Sequence, residues 1–335
     1  MSRSLHLLLI FLLCSTAITA QKKSYTAARL KDKHINIDGV PDDDAWDIAG
    51  WEGDFIQITP YENRNPTQKT SFKILYDDNH IYALIRAYDS SPDSIVKRMT
   101  RRDETDGDLL GIGFDSYHDL RTAFVFLITA SGVKADAVVT EDGGNWDWNW
   151  DPIWYVKTGF DDEGWLAEIK IPLTQLRFGK KKEYTWGLQV GRYIFRNDET
   201  SGWCLISNNA PGWVSFFGEL DGIEGIKPQK QKDITPYFVA NVERYEKSDE
   251  DPFLNGKGSK LSGGLDAKFG LTNDLTLDLT VNPDFGQVEA DPSVVNLTAY
   301  ETYYEEKRPF FIEGRNIMDS TLTFGGPLSS DNLFY

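Results

Sequence analysis

The stretch TSFKILYDDNHIYALIRAYD, residues 70–89, decides the fold class. Phe72, Ile74 and Tyr76 alternate with polar or mixed residues, and HIYALIRAYD follows after a tight Asp-Asn turn. Alternation with a period of two on both sides of such a turn predicts an antiparallel hairpin. Working outward, TAFVFLITASG (122–132), GWLAEIKIP (164–172) and TWGLQVGRYIF (185–195) read as further strands at comparable spacing. The only helical signal is PDDDAW (41–46), whose acids would sit at a helix N-terminus. Many short strands broken by Asp, Asn, Gly and Pro predict an all-β chain, with a jelly-roll-type β-sandwich over residues 21–226.

The ends and the composition bound the rest. Arg3, the apolar run LHLLLIFLL (5–13) and the small residues up to Ala20 have the layout of a secretory signal peptide over residues 1–20. The run is too short to span a bilayer as a helix. Cys14 follows Leu13, where a lipoprotein signal would place a small residue, so lipidation is disfavoured. An exported protein is expected. Beyond the signal, Cys204 is the only cysteine, which excludes an internal disulfide and, with four histidines, argues against zinc. Asp and Glu outnumber Lys and Arg, 52 to 35, which disfavours nucleic acid as a partner.

From about residue 232 the strand habit changes. Leu261, Gly263, Leu265, Ala267 and Phe269 share one parity, and after LTND so do Leu275, Leu277, Leu279 and Val281. DITPYFVANVERYE (233–246) reads as a preceding strand. Arms of about ten residues with one apolar and one polar face suit a tilted outer-membrane strand, and equally an amphipathic hairpin in a soluble sheet. Three strands cannot close a barrel, and a bilayer does not tolerate an open sheet edge. Residues 232–335 are therefore expected to be the N-terminal part of an incomplete β-barrel, in a fragment of a longer protein.

INIDGVPDDDAWDIA (35–49) resembles the opening of the family 9 carbohydrate-binding-module-like domain, and the likeness continues through ILYDDNHIYALIRAYD, RRDETDGD, FVFLITASGVKADA and GWLAEIKIPLTQLRF. TVNPDFGQVEADPSVVNLTAYETYYEEKRPFFIEG (280–314) resembles the signature of a poorly characterised outer-membrane family of Gram-negative bacteria, in which such a domain precedes a C-terminal β-barrel. The resemblance implies a secreted, glycan-linked role at the outer membrane, with the sandwich periplasmic or extracellular.

The candidate chemistry centres on NWDWNWDPIW (145–154), which holds four tryptophans. Sugar rings stack on indole faces through their apolar C–H patches. Strand alternation would place Trp146, Trp148, Trp150 and Trp154 on one face, with Asn145, Asp147, Asn149 and Asp151 on the other. Trp146, Trp148 and Trp150, rimmed by Asp147, Asn149 and Asp151, are the candidate ligand-binding set; packing against the sandwich is the competing role. Trp154 and Trp165 read as core residues, and Trp186, Trp203 and Trp213 as lesser candidates. Asp103, Asp106, Asp108 and Asp115 offer hard oxygen ligands for a structural Ca²⁺, although a solvated acidic loop has the same composition. The spacing is not that of an EF-hand, because placing Gly107 sixth puts Arg102 first.

No G-x-S-x-G or H-E-x-x-H motif is present, and with fifty-two acids a glycosidase pair cannot be picked out by abundance. No catalytic residue is assigned. The leading expectation is non-catalytic glycan binding linked to glycan breakdown or uptake. An O-glycosyl hydrolase and a structural cap on a transport barrel are the alternatives.

Overall fold

The computed structural model describes residues 22–31, 33–244, 257–272 and 275–282. The expected signal peptide, the barrel-family motif beyond residue 282 and the EEKRPFF segment (305–311) lie outside the described residues. What is described is all-β, with six short 3₁₀ turns and no α-helix. The PDDDAW signal becomes one of those turns, Asp44–Ile48.

Two sheets enclose the main core. The larger has the order β1 (Ser24–Thr26), β14 (Gly218–Glu224), β12 (Glu183–Ile194), β6 (Leu109–Asp115), β7 (Ala123–Thr129), β8 (Lys134–Thr140) and β9 (Asn145–Asp147). β13 (Glu199–Gly202) pairs with β12 and with β3 (Ile56–Thr59). The smaller has the order β10 (Tyr155–Asp161), β11 (Gly164–Pro172), β5 (His80–Tyr88), β4 (Thr70–Tyr76) and β2 (Ala28–Arg29). The hairpin over residues 70–89 is β4–β5, in the antiparallel register Phe72↔Ile85 and Ile74↔Ala83. One parity of each sheet fills the space between them: Phe72, Ile74, Ile81 and Ile85 face Leu110, Ile112, Phe126, Trp186 and Leu188, all buried.

β4 differs from the half-exposed strand that its alternation predicts, since all seven residues are buried. Its second face is covered by the segment that resembles the family opening. Ile35, Ala45, Trp46 and Ala49 pack on Leu75, Tyr82, Leu84 and Leu166. Glu168 anchors this cover: its carboxylate accepts the amides of Asp38 (3.2 Å) and Gly39 (2.9 Å) and the indole N–H of Trp46 (3.0 Å). Gly39 has φ = 91°, and a Cβ there would stand 2.8 Å from the Thr158 carbonyl oxygen, so the Asp-Gly turn requires its glycine. The spacing from Asp38-Gly39 to Trp46 thus serves one buried carboxylate of the smaller sheet.

A third sheet, β15 (Lys232–Arg244), β16 (Lys257–Gly270) and β17 (Thr276–Val281), is antiparallel throughout. Register puts Pro236 opposite Leu265, and Leu265 opposite Val281. One face therefore carries Ile234, Phe238, Val242, Leu261, Leu277, Leu279 and Val281, all exposed, with Phe238 at 83%. The other carries Thr235, Asp266, Lys268, Asp278 and Thr280, where the Thr280 hydroxyl donates to Asp266 (2.6 Å). No closed barrel is formed among the described residues.

Cys204 is buried, and burial pushes its thiol up to about 11. Because the thiolate is the reactive form, the folded chain is expected to leave a maleimide or aromatic disulfide reagent unreacted at pH 7.5 until denaturant is added. Stoichiometric labelling of the native chain at Cys204 within minutes contradicts this.

Candidate functional site

β6, β7 and β12 turn one parity to the core and the other to the outer face of the larger sheet. On that outer face β6 offers Gly111 and Gly113, β7 offers Val125 and Leu127, and β12 offers Gly187, Gln189 and Gly191. Glycine on one parity of a strand removes a row of side chains and leaves a floor. Above it, β9 and the turn that follows carry Trp146 and Trp148, and the loop before Val214 carries Trp213. Gly111, Gly113, Val125, Leu127, Trp146, Trp148, Gln189, Gly191 and Trp213 enclose, with Ile112, a cavity of about 310 Å³.

The indoles brace one another. Trp146 and Trp148 stack with centroids 5.5 Å apart and planes 18° apart, and Trp213 meets Trp146 at 4.8 Å and 49°. Trp213 in turn packs edge-on against Phe217 at 4.7 Å. Trp148 remains 44% exposed at the rim. Trp146 donates its indole N–H to the Gly143 carbonyl (3.2 Å). Asp142 fixes the opposite wall: its carboxylate accepts the amides of Trp213 (3.0 Å) and Ser215 (2.8 Å) and the Ser215 hydroxyl (2.7 Å). Burial opposes the charge on Asp142, but the Ser215 and Trp213 donors outweigh it and hold the carboxyl below its ordinary range. Gly143, at φ = 101°, lets the chain pass so close to Trp213 that a Cβ would meet the Trp213 Cβ at 2.7 Å.

The tryptophan stretch therefore splits rather than presenting one face. β9 ends at Asp147 and a turn begins, so alternation stops at Trp148. Trp150 crosses to the inner side and packs on Phe124 (5.2 Å) and Phe126 (5.6 Å). Trp154 follows it into the core at 1% exposure, joining Trp165, Trp186 and Trp203. The polar members of the stretch are engaged locally: Asp147 accepts the amide (3.1 Å) and the side-chain N–H (3.3 Å) of Asn149, and Asp151 pairs with Arg102. Trp213, a lesser candidate by sequence, joins the cavity wall in place of Trp150, and Gln189 and the glycine floor join it with no candidate role by sequence. The sequence signal for the floor is Gly confined to one parity, Gly111 and Gly113 in LLGIGFD and Gly187 and Gly191 in GLQVG.

The four candidate calcium ligands do not converge. Asp108 and Asp115 flank β6 at opposite ends, about 23 Å apart at roughly 3.3 Å per residue. Asp115 accepts the amides of Asp119 (3.2 Å) and Leu120 (2.8 Å), and Asp108 those of Phe195 (3.2 Å) and Val96 (3.4 Å). Asp106 is paired with Arg98 (3.0 Å), and Asp103 lies 3.7 Å from Arg102. Among the described residues no group of three or more His, Cys, Asp or Glu is placed to hold an ion. These acids build turns and ion pairs instead, so the residues present do not fit a calcium site.

A buried polar cluster clasps the far end of the tryptophan stretch. Asp136 accepts the Trp154 indole N–H (3.0 Å) and pairs with Arg102 (2.7 Å), which also reaches the Pro152 carbonyl (3.3 Å). Burial is the main cause that raises the Asp136 carboxyl to about 6, opposed by the Trp154 and Arg102 contacts. An acid whose folded-state pKa is raised binds more protons folded than unfolded between about pH 4 and 6, so its contribution to stability falls as pH rises through that window. Denaturant unfolding should thus show the native chain losing stability relative to Asp136→Asn from pH 4 to pH 7. A relative gain over that interval would contradict the assignment.

An all-β sandwich with a tryptophan-walled cavity on the outer face of one sheet is the class of protein that fold and site define. A family model described as a domain of unknown function, DUF5916, matches residues 231–324. No curated protein sequence matches the chain. Among solved structures, it is similar to a carbohydrate binding module family 9 from Caldicellulosiruptor kristjanssonii in complex with glucose, at 19% identity over 62% of this chain and 97% of that one, TM-score 0.45. A module of the same family and organism in complex with cellotriose gives 20% identity, coverage of 62% and 95%, and a TM-score of 0.43. A protein from Bacteroides uniformis, described as a candidate carbohydrate-binding protein, gives 12% identity, coverage of 60% and 99%, and a TM-score of 0.48.

Proposed function

We propose that the chain binds a glycan, without cleaving it, at the cavity lined by Trp146, Trp148 and Trp213. The observation that carries this reading is the braced indole cluster over a glycine floor, with Trp148 held open at the rim. An exposed, immobilised indole costs little further entropy when a pyranose face settles on it, and apolar contact then stabilises the complex. None of the ten lining residues is an acid, whereas glycoside hydrolysis needs two carboxyls flanking the bond. Binding is therefore favoured over hydrolysis at this site. Isothermal titration of the full-length chain against a glycan panel tests the reading: saturable binding without released reducing ends supports it. Chelation with EDTA is expected to leave the affinity unchanged, and a loss on chelation would restore the calcium reading. Absence of binding to every glycan would leave the sandwich as a structural cap.

The chain's place at an outer membrane, in glycan breakdown or uptake, is the second part of the proposal. Its support is the apolar face of β15–β17 from Ile234 to Val242 and from Leu261 to Phe269, opposite one that carries Asp266, Lys268, Asp278 and Thr280, the pattern of lipid-facing and lumen-facing residues in membrane barrels. Recovery of the expressed chain in the outer-membrane fraction after carbonate washing tests this part, and recovery in the soluble fraction would sink it.

A further inference from the structure

The cavity floor is unsuited to burying a hydroxylated ring. Gly111, Ile112, Gly113, Val125, Leu127 and Gly191 have no polar side-chain atom. The backbone of β6 is consumed on both edges, by β12 on one and β7 on the other. Gln189, the one amide side chain in the lining, spends both ends on backbone. Its Nε2 donates to the Cys204 carbonyl (2.8 Å), and its Oε1 accepts the amides of Cys204 (2.9 Å) and Val190 (3.2 Å). A sugar pushed edge-on into this space would bury hydroxyls without partners and lose their hydration uncompensated. Yet the volume, about 310 Å³, is about twice that of an apolar protein cavity of roughly 150 Å³ known to take up benzene.

Resting on the glycan reading above, we propose that the ligand is a sugar bearing an aryl group. The ring of that group settles on the floor of the cavity, against the faces that Trp146 and Trp213 turn toward it, while the sugar stays at the rim on Trp148. The chemistry of the lining divides the ligand in this way. The part on the floor meets Val125, Leu127 and the glycines beside tilted indoles, which favour an aromatic ring through offset and edge-to-face contact. The outer part meets an indole open to water, where hydroxyls keep their hydration. An aryl glycoside and an aromatic ester of a sugar share this chemistry.

The test is calorimetric titration of the full-length chain with matched pairs: methyl and phenyl β-glycosides of glucose, xylose and galactose, a 6-O-cinnamoyl ester of methyl glucoside, and phenol alone. The phenyl glycoside or the cinnamoyl ester is expected to bind at least about tenfold more tightly than the methyl glycoside of the same sugar, and the better of the two identifies the linkage. In Gly191→Leu the aryl-to-methyl ratio should fall toward one, because a side chain there points into the cavity. Its Cβ would meet nothing closer than the Ser201 carbonyl at 3.7 Å, and thermal unfolding of the variant, with Gly191→Ala beside it, checks that the fold is kept. Methyl and aryl forms binding equally would overturn the aryl inference and leave the glycan reading standing. No binding by any of these probes would likewise overturn the aryl inference alone, whereas phenol binding as tightly as phenyl glucoside would overturn both.

Discussion

Trp146→Ala combined with Trp213→Ala is expected to lower glycan affinity by at least about a hundredfold in a chain that remains folded. Each indole packs on the other at 4.8 Å, so removing one leaves its partner unsupported, and removing both opens the cavity to water. Aromatic anchors in well-packed pockets commonly cost 2 kcal/mol or more on truncation, and two coupled ones exceed a factor of about a hundred together. Trp150→Ala supplies the contrast. Its ring sits among Phe124 and Phe126 on the inner side of the sheet, so its loss should lower stability by about 3 kcal/mol through the space it vacates. Binding by the folded fraction should change little. Titration calorimetry with thermal unfolding of both variants separates the effects; a Trp150 variant that folds normally but no longer binds would reverse the assignment of the stretch.

Glu168→Ala carries the largest expected effect on stability, a loss of about 3–5 kcal/mol. The substitution leaves the amides of Asp38 and Gly39 and the Trp46 indole without an acceptor in a buried setting, at about 1–3 kcal/mol for each unsatisfied donor before relaxation. It also frees the segment over residues 35–49 from the face of the smaller sheet, exposing Leu75, Tyr82 and Leu84. Glu168→Gln keeps one acceptor oxygen and should cost less than half as much. Denaturant unfolding of the three proteins decides: equal midpoints for Glu168→Ala and the native chain would show that the cover is held by packing alone.

The hairpin at residues 70–89 was legible because both of its arms carry a strong period-two signal, and the alternation over residues 261–281 likewise gave the facing of the third sheet. Two kinds of information were not legible. Burial of the second face of β4 depends on a segment some thirty residues upstream, and no local pattern in TSFKILY announces it. The tryptophan stretch misled for a related reason: alternation assumes a continuous strand, whereas the chain turns after Asp147 and sends Trp150 to the other side. Asp and Asn between the indoles, read as a polar rim, were the turn signal itself, since Asp147 caps Asn149. Asp103, Asp106, Asp108 and Asp115 failed to gather as one metal set because the length of β6 separates Asp108 from Asp115 and arginines pair with Asp103 and Asp106. Trp213 meets Trp146 across 67 residues of sequence, and the Asp142 carboxylate that holds it there acts across 71, so no local pattern announces either contact.

The glycine floor has a consequence for how the depth of such a site is set. Its depth comes from side chains withheld on a continuous, fully paired sheet, and not from a gap in the backbone. At Gly191 a methyl group would find open space, and at Gly113 it would only touch Phe217 at 3.4 Å. Single substitutions there can make the recess shallower in steps of one or a few carbon atoms while the strands stay where they are. The depth of the recess is thus set by single residues, independently of the scaffold and of the indole wall.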